Sequence, residues 1–180
     1  LGTHWGAGMP TLAHLCAQDL KPRFVYRQEP ESVWASPAAK AAHRVHLKAI
    51  DRFGGSIRVG GATAQIMDAL ADDATPVILI DAPADGRPTL TGRADASHVR
   101  IRSGLLDMLC RERIQYVFYR CGFDPKTGQR HLEIGPAQQP DSPESIADQA
   151  AGHLQRALAL DSAQWRLWMV ADAVLEKASV

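Results

Sequence analysis

The sequence has little cysteine and no excess of charge of either sign. Its three cysteines, Cys16, Cys110 and Cys121, are too few and too scattered for a disulfide framework or a zinc site. Each lies in an apolar run, where a buried thiol is the simplest interpretation, so we expect a reducing compartment. Because 20 Lys and Arg residues balance 20 Asp and Glu residues, no net charge favours nucleic acid as a partner.

Long hydrophobic runs are also missing. No stretch of 18 apolar residues predicts a membrane-spanning helix, no signal peptide is recognisable, and no internal repeat is found. A chain of 180 residues with 46% hydrophobic content fits one domain with a real core. Because the chain begins at Leu1 without a methionine and reaches a loop almost at once, we expect a single domain, residues 1–180, that lacks its amino-terminal part. A segment ahead of Leu1 could have carried a membrane span or a signal peptide.

Helical and strand patterns alternate through the first half of the chain. The predicted order is a helix over Pro10–Leu20, a strand over Phe24–Tyr26, a helix from Ser36-Pro37 to Phe53, a strand over Ser56–Val59, a turn at Gly60-Gly61 and a helix over Thr63–Ala71. Pro76–Ile80 is a continuous apolar run ending at Asp81, as in a central strand buried on both faces. This alternation predicts an α/β fold with a mostly parallel central sheet flanked by helices.

The second half of the chain adds one antiparallel hairpin and further helices. Asp81–Arg102 is rich in proline, glycine and basic side chains, so we expect a long irregular loop there. The remaining predicted elements are a helix from Ser103-Gly104 to about Arg111, a buried strand over Ile114–Tyr119, a hairpin turn at Asp124–Gly128 returning as Arg130–Ile134, a helix capped by Ser142 that runs to about Leu160, and a helical segment at Gln164–Trp168.

His4 is the first candidate for chemistry. It lies among small glycines, with Pro10 able to open a helix just behind it, and this setting presents an imidazole at the mouth of a pocket. In α/β sheets, ligands bind outside the carboxyl ends of the strands. We expect His4 to follow a first strand that is missing or severely shortened, and Asp81 to follow the central strand. Both are therefore predicted to lie at the same edge of the sheet and to face a shared cleft.

Several short motifs occur in an order that resembles the lysophospholipid acyltransferase superfamily, and most closely its bacterial lipid A late (lauroyl/myristoyl) acyltransferases. The motifs are Gly2-Thr3-His4-Trp5-Gly6, Tyr26-Arg27, Arg52-Phe53-Gly54-Gly55, Ile66–Leu70, the strand ending in Asp81, Gly104 at a helix start, and Ala163–Trp168. The resemblance runs the length of the chain.

The resemblance implies a glycerolipid-acyltransferase-like fold and an acyl transfer reaction. Members move a fatty acyl chain from a carrier-protein or coenzyme A thioester to a hydroxyl of a lipid or glycolipid. They work at the cytoplasmic face of the bacterial inner membrane, so a membrane surface is an implied partner, and no cofactor or metal beyond the acyl donor is implied. By resemblance, His4 is the general base, Asp81 matches the aspartate after the central strand, and Arg52, Arg27 and Gly104 are candidates for substrate binding.

One position departs from the family pattern. The family histidine is followed, after four residues, by Asp or Glu, and the residue here is Met9. The family carboxylate holds the second ring nitrogen of the histidine and stabilises the imidazolium, which a thioether does not do. Three alternatives stay open: another acid such as Asp81 orients His4, the histidine works alone on an activated thioester, or the chain is a catalytically silent relative that binds acyl chains or lipid.

Other candidate residues have simpler interpretations. His43 and His46 lie three apart on one predicted helix, but no third ligand follows at a spacing suited to a metal. The glycine pairs at 54–55 and 60–61 lack the lysine and serine of a phosphate loop. The basic cluster between Arg87 and Arg102 suits either an anionic carrier, coenzyme or lipid phosphate, or a solvated loop. Trp165 and Trp168 suit a membrane surface, although packing against the sheet is the favoured interpretation.

Overall fold

The computed structural model describes residues 1–5, 8–26, 37–58, 62–83, 86–95 and 97–177, and in them the chain has a mixed α/β fold. Its residues divide into two compact units. Unit 1 comprises Leu1–Gly8 and Leu79–Val180, and unit 2 comprises Met9–Ile78. The expectation of a single domain without its amino-terminal part stays a prediction.

Unit 2 is built on a small parallel sheet. Its elements are α1 (Gly8–Ala17), β1 (Pro22–Tyr26), α2 (Pro37–Asp51), β2 (Ser56–Arg58), α3 (Ala62–Ala71) and β3 (Thr75–Ile78). Strand β1 is central and pairs in parallel with both neighbours, with Val25 opposite Ile57 on one side and Ile78 on the other. Helices connect these strands because a parallel pair needs a crossover rather than a tight turn.

Glycine ends α2 in the way that the sequence predicts. Gly54 has a φ of 122°, a conformation that L side chains rarely adopt, and a Cβ there would lie 2.3 Å from the carbonyl oxygen of Pro22. The chain therefore reverses here and enters β2. The predicted Gly60-Gly61 turn and the Ser36 cap lie outside the described residues.

Unit 1 is built on antiparallel pairs and one long helix. Its elements are β4 (Thr89–Ala94), β5 (Ser97–Arg102), α4 (Ser103–Arg111), β6 (Tyr119–Phe123), β7 (Arg130–Ile134), α5 (Pro143–Asp161), α6 (Ala171–Val174) and β8 (Leu175–Lys177), with short 3-10 turns at Ser162–Gln164 and Trp168–Val170. One sheet has the order β4-β5-β8, and β6 and β7 form a separate hairpin. Ser142 caps α5 by accepting a hydrogen bond from the backbone N–H of Ser145 at 3.1 Å, as predicted.

The core of unit 1 lies between α5 and β4. One face of α5 is buried along its length through Ile146, Ala150, Leu154 and Ala157. Small residues allow the helix to approach the sheet closely: at Gly92 of β4, an added Cβ would lie 2.1 Å from the carbonyl oxygen of Ala147. This glycine interrupts a strand pattern for a packing reason.

Four sequence predictions are wrong. Pro76–Ile80 is not a central strand buried on both faces, because β3 lies at an edge of the three-stranded sheet and only Val77 of its residues is buried. Asp81–Arg102 is not an irregular loop, because β4 and β5 pair across it with Gly92 opposite Val99. Ile114–Tyr119 is not a strand: Tyr116 makes an isolated bridge to Gln138, and β6 begins only at Tyr119. The segment around Trp165 is two 3-10 turns rather than a helix.

The predicted fold class is correct only at its coarser level. Three of the described strands form the parallel sheet and five lie in antiparallel pairs, so the prediction of a mostly parallel sheet with one hairpin is wrong. The β6–β7 hairpin is where the sequence predicted it, with its return strand at Arg130–Ile134. No described helix is both long and apolar enough to cross a membrane.

Candidate active site

His4 and Asp81 are in direct contact within unit 1. The ring Nδ1 of His4 lies 2.8 Å from Oδ1 of Asp81, and the backbone N–H of His4 donates to both carboxylate oxygens at 3.0 and 2.9 Å. The Asp81 side chain is 1% exposed, whereas that of His4 is 30% exposed. A buried carboxylate therefore holds a histidine that solvent reaches.

Backbone pairing brings the two residues together. Gly2 and Leu79 form a parallel bridge, and the N–H of Ile80 donates to the carbonyl oxygen of Gly2 at 2.9 Å. His4 and Asp81 each come two residues after one member of this bridge. Because neighbouring parallel segments end at the same edge, both side chains leave the pairing at one place. His4 and Asp81 thus lie together as predicted, while the shared cleft stays a prediction.

Tyr119 packs against the start of this segment. Its ring lies where a side chain on Gly2 would be, with the nearest ring atom 2.5 Å from an added Cβ, and its backbone N–H donates to the carbonyl oxygen of Leu1 at 2.9 Å. Burial, with the charge of Asp81 adding to it, raises the pKa of the Tyr119 phenol well above its usual value. The Tyr119 side chain is therefore uncharged where it borders the histidine segment.

Trp165 completes the surroundings of Asp81. Its indole Nε1–H donates to Oδ2 of Asp81 at 2.8 Å, and its side chain is buried. Trp165 also forms an antiparallel bridge with Trp5, and the N–H of Arg166 donates to the carbonyl oxygen of His4 at 2.8 Å. The segment around Trp165 thus contacts both members of the histidine–aspartate pair.

These contacts fix the tautomer of His4. An ionised carboxylate only accepts hydrogen bonds, so in the neutral imidazole of His4 the proton lies on Nδ1 and the lone pair on Nε2. The backbone N–H of His4, its Nδ1–H and the indole N–H of Trp165 together satisfy the buried carboxylate. The arrangement is that of a general base with an orienting acid.

The other predicted site residues are not part of this cluster. Arg52 is exposed in the turn after α2, in unit 2. Gly104 is exposed in the first turn of α4, and it is not among the described hydrogen-bond partners of His4 or Asp81. Arg27 lies outside the described residues, and Met9 lies in the first turn of α1.

Part of the basic cluster between Arg87 and Arg102 has a structural role. Arg102 donates through Nε to the carbonyl oxygen of Pro83 at 3.1 Å, and Arg100 donates to the carbonyl oxygen of Asp172. Arg87 and Arg93 are exposed. Two of the cationic side chains of this cluster, those of Arg100 and Arg102, therefore donate to backbone carbonyls.

Within the described residues, no group of three or more His, Cys, Asp or Glu side chains is placed to hold a metal ion. The side chain of His43, which lies three residues before His46 in the sequence, lies outside the part of the structure that is described. All three cysteines are free, and only Cys121 is fully buried.

No protein-family model matches this chain, and no curated protein matches it either. The acyltransferase resemblance therefore rests on the sequence motifs alone. From the sequence, the favoured interpretation of Trp165 is packing against the sheet, and Tyr119 is not a candidate for any role. Neither residue has a local signal of its role, because each acts through a partner far away in the chain.

Proposed function

We propose that this chain is an acyltransferase that moves a fatty acyl group from a carrier-protein or coenzyme A thioester to a hydroxyl of a lipid or glycolipid. His4 is the general base and Asp81 orients it. The finer fold assignment, glycerolipid-acyltransferase-like, belongs to this proposal, as do a membrane surface as partner and the cytoplasmic face of the bacterial inner membrane as location. Substrate roles for Arg52, Arg27 and Gly104 come from the resemblance.

The contact between His4 and Asp81 carries the proposal. A buried carboxylate lies 2.8 Å from one ring nitrogen of a partly exposed histidine, and three N–H donors offset the cost of burying that carboxylate. Such an arrangement supplies a base with the correct tautomer.

This contact also bears on Met9, which stands where the family has an acidic residue. The family acid holds the second ring nitrogen of the histidine, and here Asp81 occupies that nitrogen. Of the three alternatives left open by the sequence, the geometry favours the one in which another acid orients His4.

The proposed reaction uses few groups. Nε2 of His4 takes the proton of the acceptor hydroxyl while the oxygen attacks the thioester carbonyl. Asp81 balances the positive charge that forms on the imidazole. The tetrahedral intermediate then collapses, the C–S bond breaks, and the departing thiolate receives the proton from His4.

The test is transfer of a lauroyl group from its coenzyme A or acyl-carrier thioester, measured with and without an acceptor alcohol. His4→Ala and Asp81→Asn are each expected to lower the rate by roughly 10³-fold or more, because the second change leaves the ring without its orienting carboxylate. His14→Ala, at an exposed histidine of α1, is the matched control and should leave the rate unchanged.

If the His4→Ala variant transfers acyl groups as fast as the wild-type protein, the proposal is contradicted. Wild-type protein that binds the lauroyl thioester but never transfers the chain would support the silent relative instead.

A further inference from the structure

The indole of Trp165 has a polar contact that packing does not require. Its Nε1–H lies 2.8 Å from Oδ2 of Asp81, and the two residues are 2% and 1% exposed. Water cannot replace this donor at such burial, so loss of the N–H would leave a carboxylate oxygen with one fewer partner.

The two oxygens of Asp81 have different partners. Oδ1 faces the ring nitrogen of His4, Oδ2 faces the indole, and the backbone N–H of His4 reaches both. Rotation of the carboxylate about its Cβ–Cγ bond would break the bonds to ring and indole together. The indole therefore holds Oδ1 in position to accept from Nδ1 of His4.

Backbone pairing fixes where the indole lies. Trp165 is bridged to Trp5, and Arg166 donates to the carbonyl oxygen of His4. The backbone partners of the histidine segment and the donor to its aspartate thus come from one short stretch of chain, Trp165-Arg166. Phenylalanine would fill most of the same volume at position 165 but offers no donor.

We propose that Trp165 is a positioning residue, which fixes the carboxylate of Asp81 so that His4 keeps its proton on Nδ1 and its lone pair on Nε2. This inference rests on the proposed function, in which His4 is the base. It extends that function by assigning the orientation of the acid to a donor from the far end of the chain.

The test compares Trp165→Phe with Trp168→Phe. Trp168 is the matched control because its ring stands edge-on to that of Trp165, while its Nε1–H donates to the carbonyl oxygen of Ser162 and not to Asp81. Two measurements are made on each variant: kcat and KM for lauroyl transfer, and the ¹⁵N NMR signals of the His4 ring, which report the tautomer without any turnover.

For Trp165→Phe we expect kcat to fall roughly 10- to 100-fold with KM nearly unchanged, since a hydrogen bond to a charged group is lost and the substrate sites are not altered. The His4 ring should show a larger share of the Nε2–H tautomer and faster exchange of its Nδ1 proton with water. Trp168→Phe should match wild type in both measurements.

The inference is overturned if Trp165→Phe is folded and keeps the wild-type kcat and the wild-type His4 signals, or if Trp168→Phe changes the His4 signals as much. The two failures are distinguishable. If His4→Ala retains wild-type transfer, the proposed function fails, while the NMR comparison still decides whether Trp165 positions the pair.

Discussion

At the scale of single residues, His153 shows how burial, more than any neighbouring charge, sets a charge state. Its Nε2 lies 3.1 Å from the carbonyl oxygen of Tyr119 and its ring stacks on Phe118 with centroids 5.1 Å apart. Burial lowers the pKa of His153 to about 4, against 6.5 when it is solvated. The native structure therefore contains the neutral ring, and the hydrogen bond assigns the proton to Nε2.

This charge state predicts a dependence of stability on pH. Because the folded pKa of His153 is below the unfolded one, the unfolded chain binds a proton first as pH falls. The free energy of unfolding should be unaffected by this group above pH ~6.5 and should fall between pH ~6.5 and ~4, by on the order of 2 kcal/mol. Urea unfolding at several pH values measures it.

Glutamine at position 153 provides the comparison, since its amide N–H can donate to the same carbonyl and does not titrate. His153→Gln should lose the part of the slope between pH ~6.5 and ~4, whereas His14→Gln, at an exposed site on α1, should keep it. An unchanged slope in His153→Gln would assign the acid sensitivity to other groups.

The sequence could predict that His4 and Asp81 lie together, but not which residues surround them. Each follows a segment whose pattern of small or apolar residues marks a strand end, and strand ends are where ligands bind. Trp165 reaches Asp81 only through the register between Trp5 and Trp165, at opposite ends of the chain. A pairing of that range leaves no trace in local spacing, so the donor to the aspartate could not be predicted.

At the scale of secondary-structure elements, β4 and β5 show why a hairpin resembled a loop. Val99 and Ile101 are buried and alternate with Arg100 and Arg102, which is the period of a strand with one face covered. The many basic side chains, together with Gly92, made this stretch of the sequence look like a loop in spite of that alternation. Gly92 is there because α5 approaches its Cα, not because the chain turns.

The Gly92 contact predicts the cost of a single methyl group. In Gly92→Ala the new Cβ would lie 2.1 Å from the carbonyl oxygen of Ala147 and 3.2 Å from the Cβ of Ala151, so α5 or β4 must shift. We expect the free energy of unfolding to fall by about 1–3 kcal/mol, measured by urea denaturation.

Gly104→Ala is the matched control for this experiment. Nothing lies within 4 Å of a Cβ at Gly104, which is in the first turn of α4, so stability should hold or rise slightly because alanine favours helix. If Gly92→Ala were as stable as wild type, the close packing of α5 on β4 would be wrong.

At the scale of the whole molecule, the candidate base and its acid belong to unit 1, while the predicted anion-binding arginine belongs to unit 2. The sequence predicted α1 to α5 to within a few residues, because caps, glycines and apolar spacing are local signals, but it did not predict α6. It overestimated the parallel sheet, since pairing direction depends on which segments meet and not on the pattern within any one of them.

Arg52 tests whether unit 2 contributes to the proposed reaction. Its guanidinium is exposed in the turn after α2, and the resemblance implies that it binds an anionic group of the donor or acceptor. Lysine keeps the charge but lacks the planar fork that binds a phosphate or carboxylate through two N–H groups. Arg52→Lys should therefore raise KM by roughly 3- to 10-fold, with kcat and the melting temperature unchanged.

Arg44→Lys is the matched control, because Arg44 is also an exposed arginine and lies on α2, a little over two helical turns before Arg52. It should behave as wild type in lauroyl transfer. If both lysine variants keep the wild-type KM, Arg52 binds no specific anion, and its guanidinium is simply solvated after the end of α2. If both raise KM equally, the basic surface of α2 attracts the substrate through its total charge, and raising the salt concentration should remove the difference between wild type and variants.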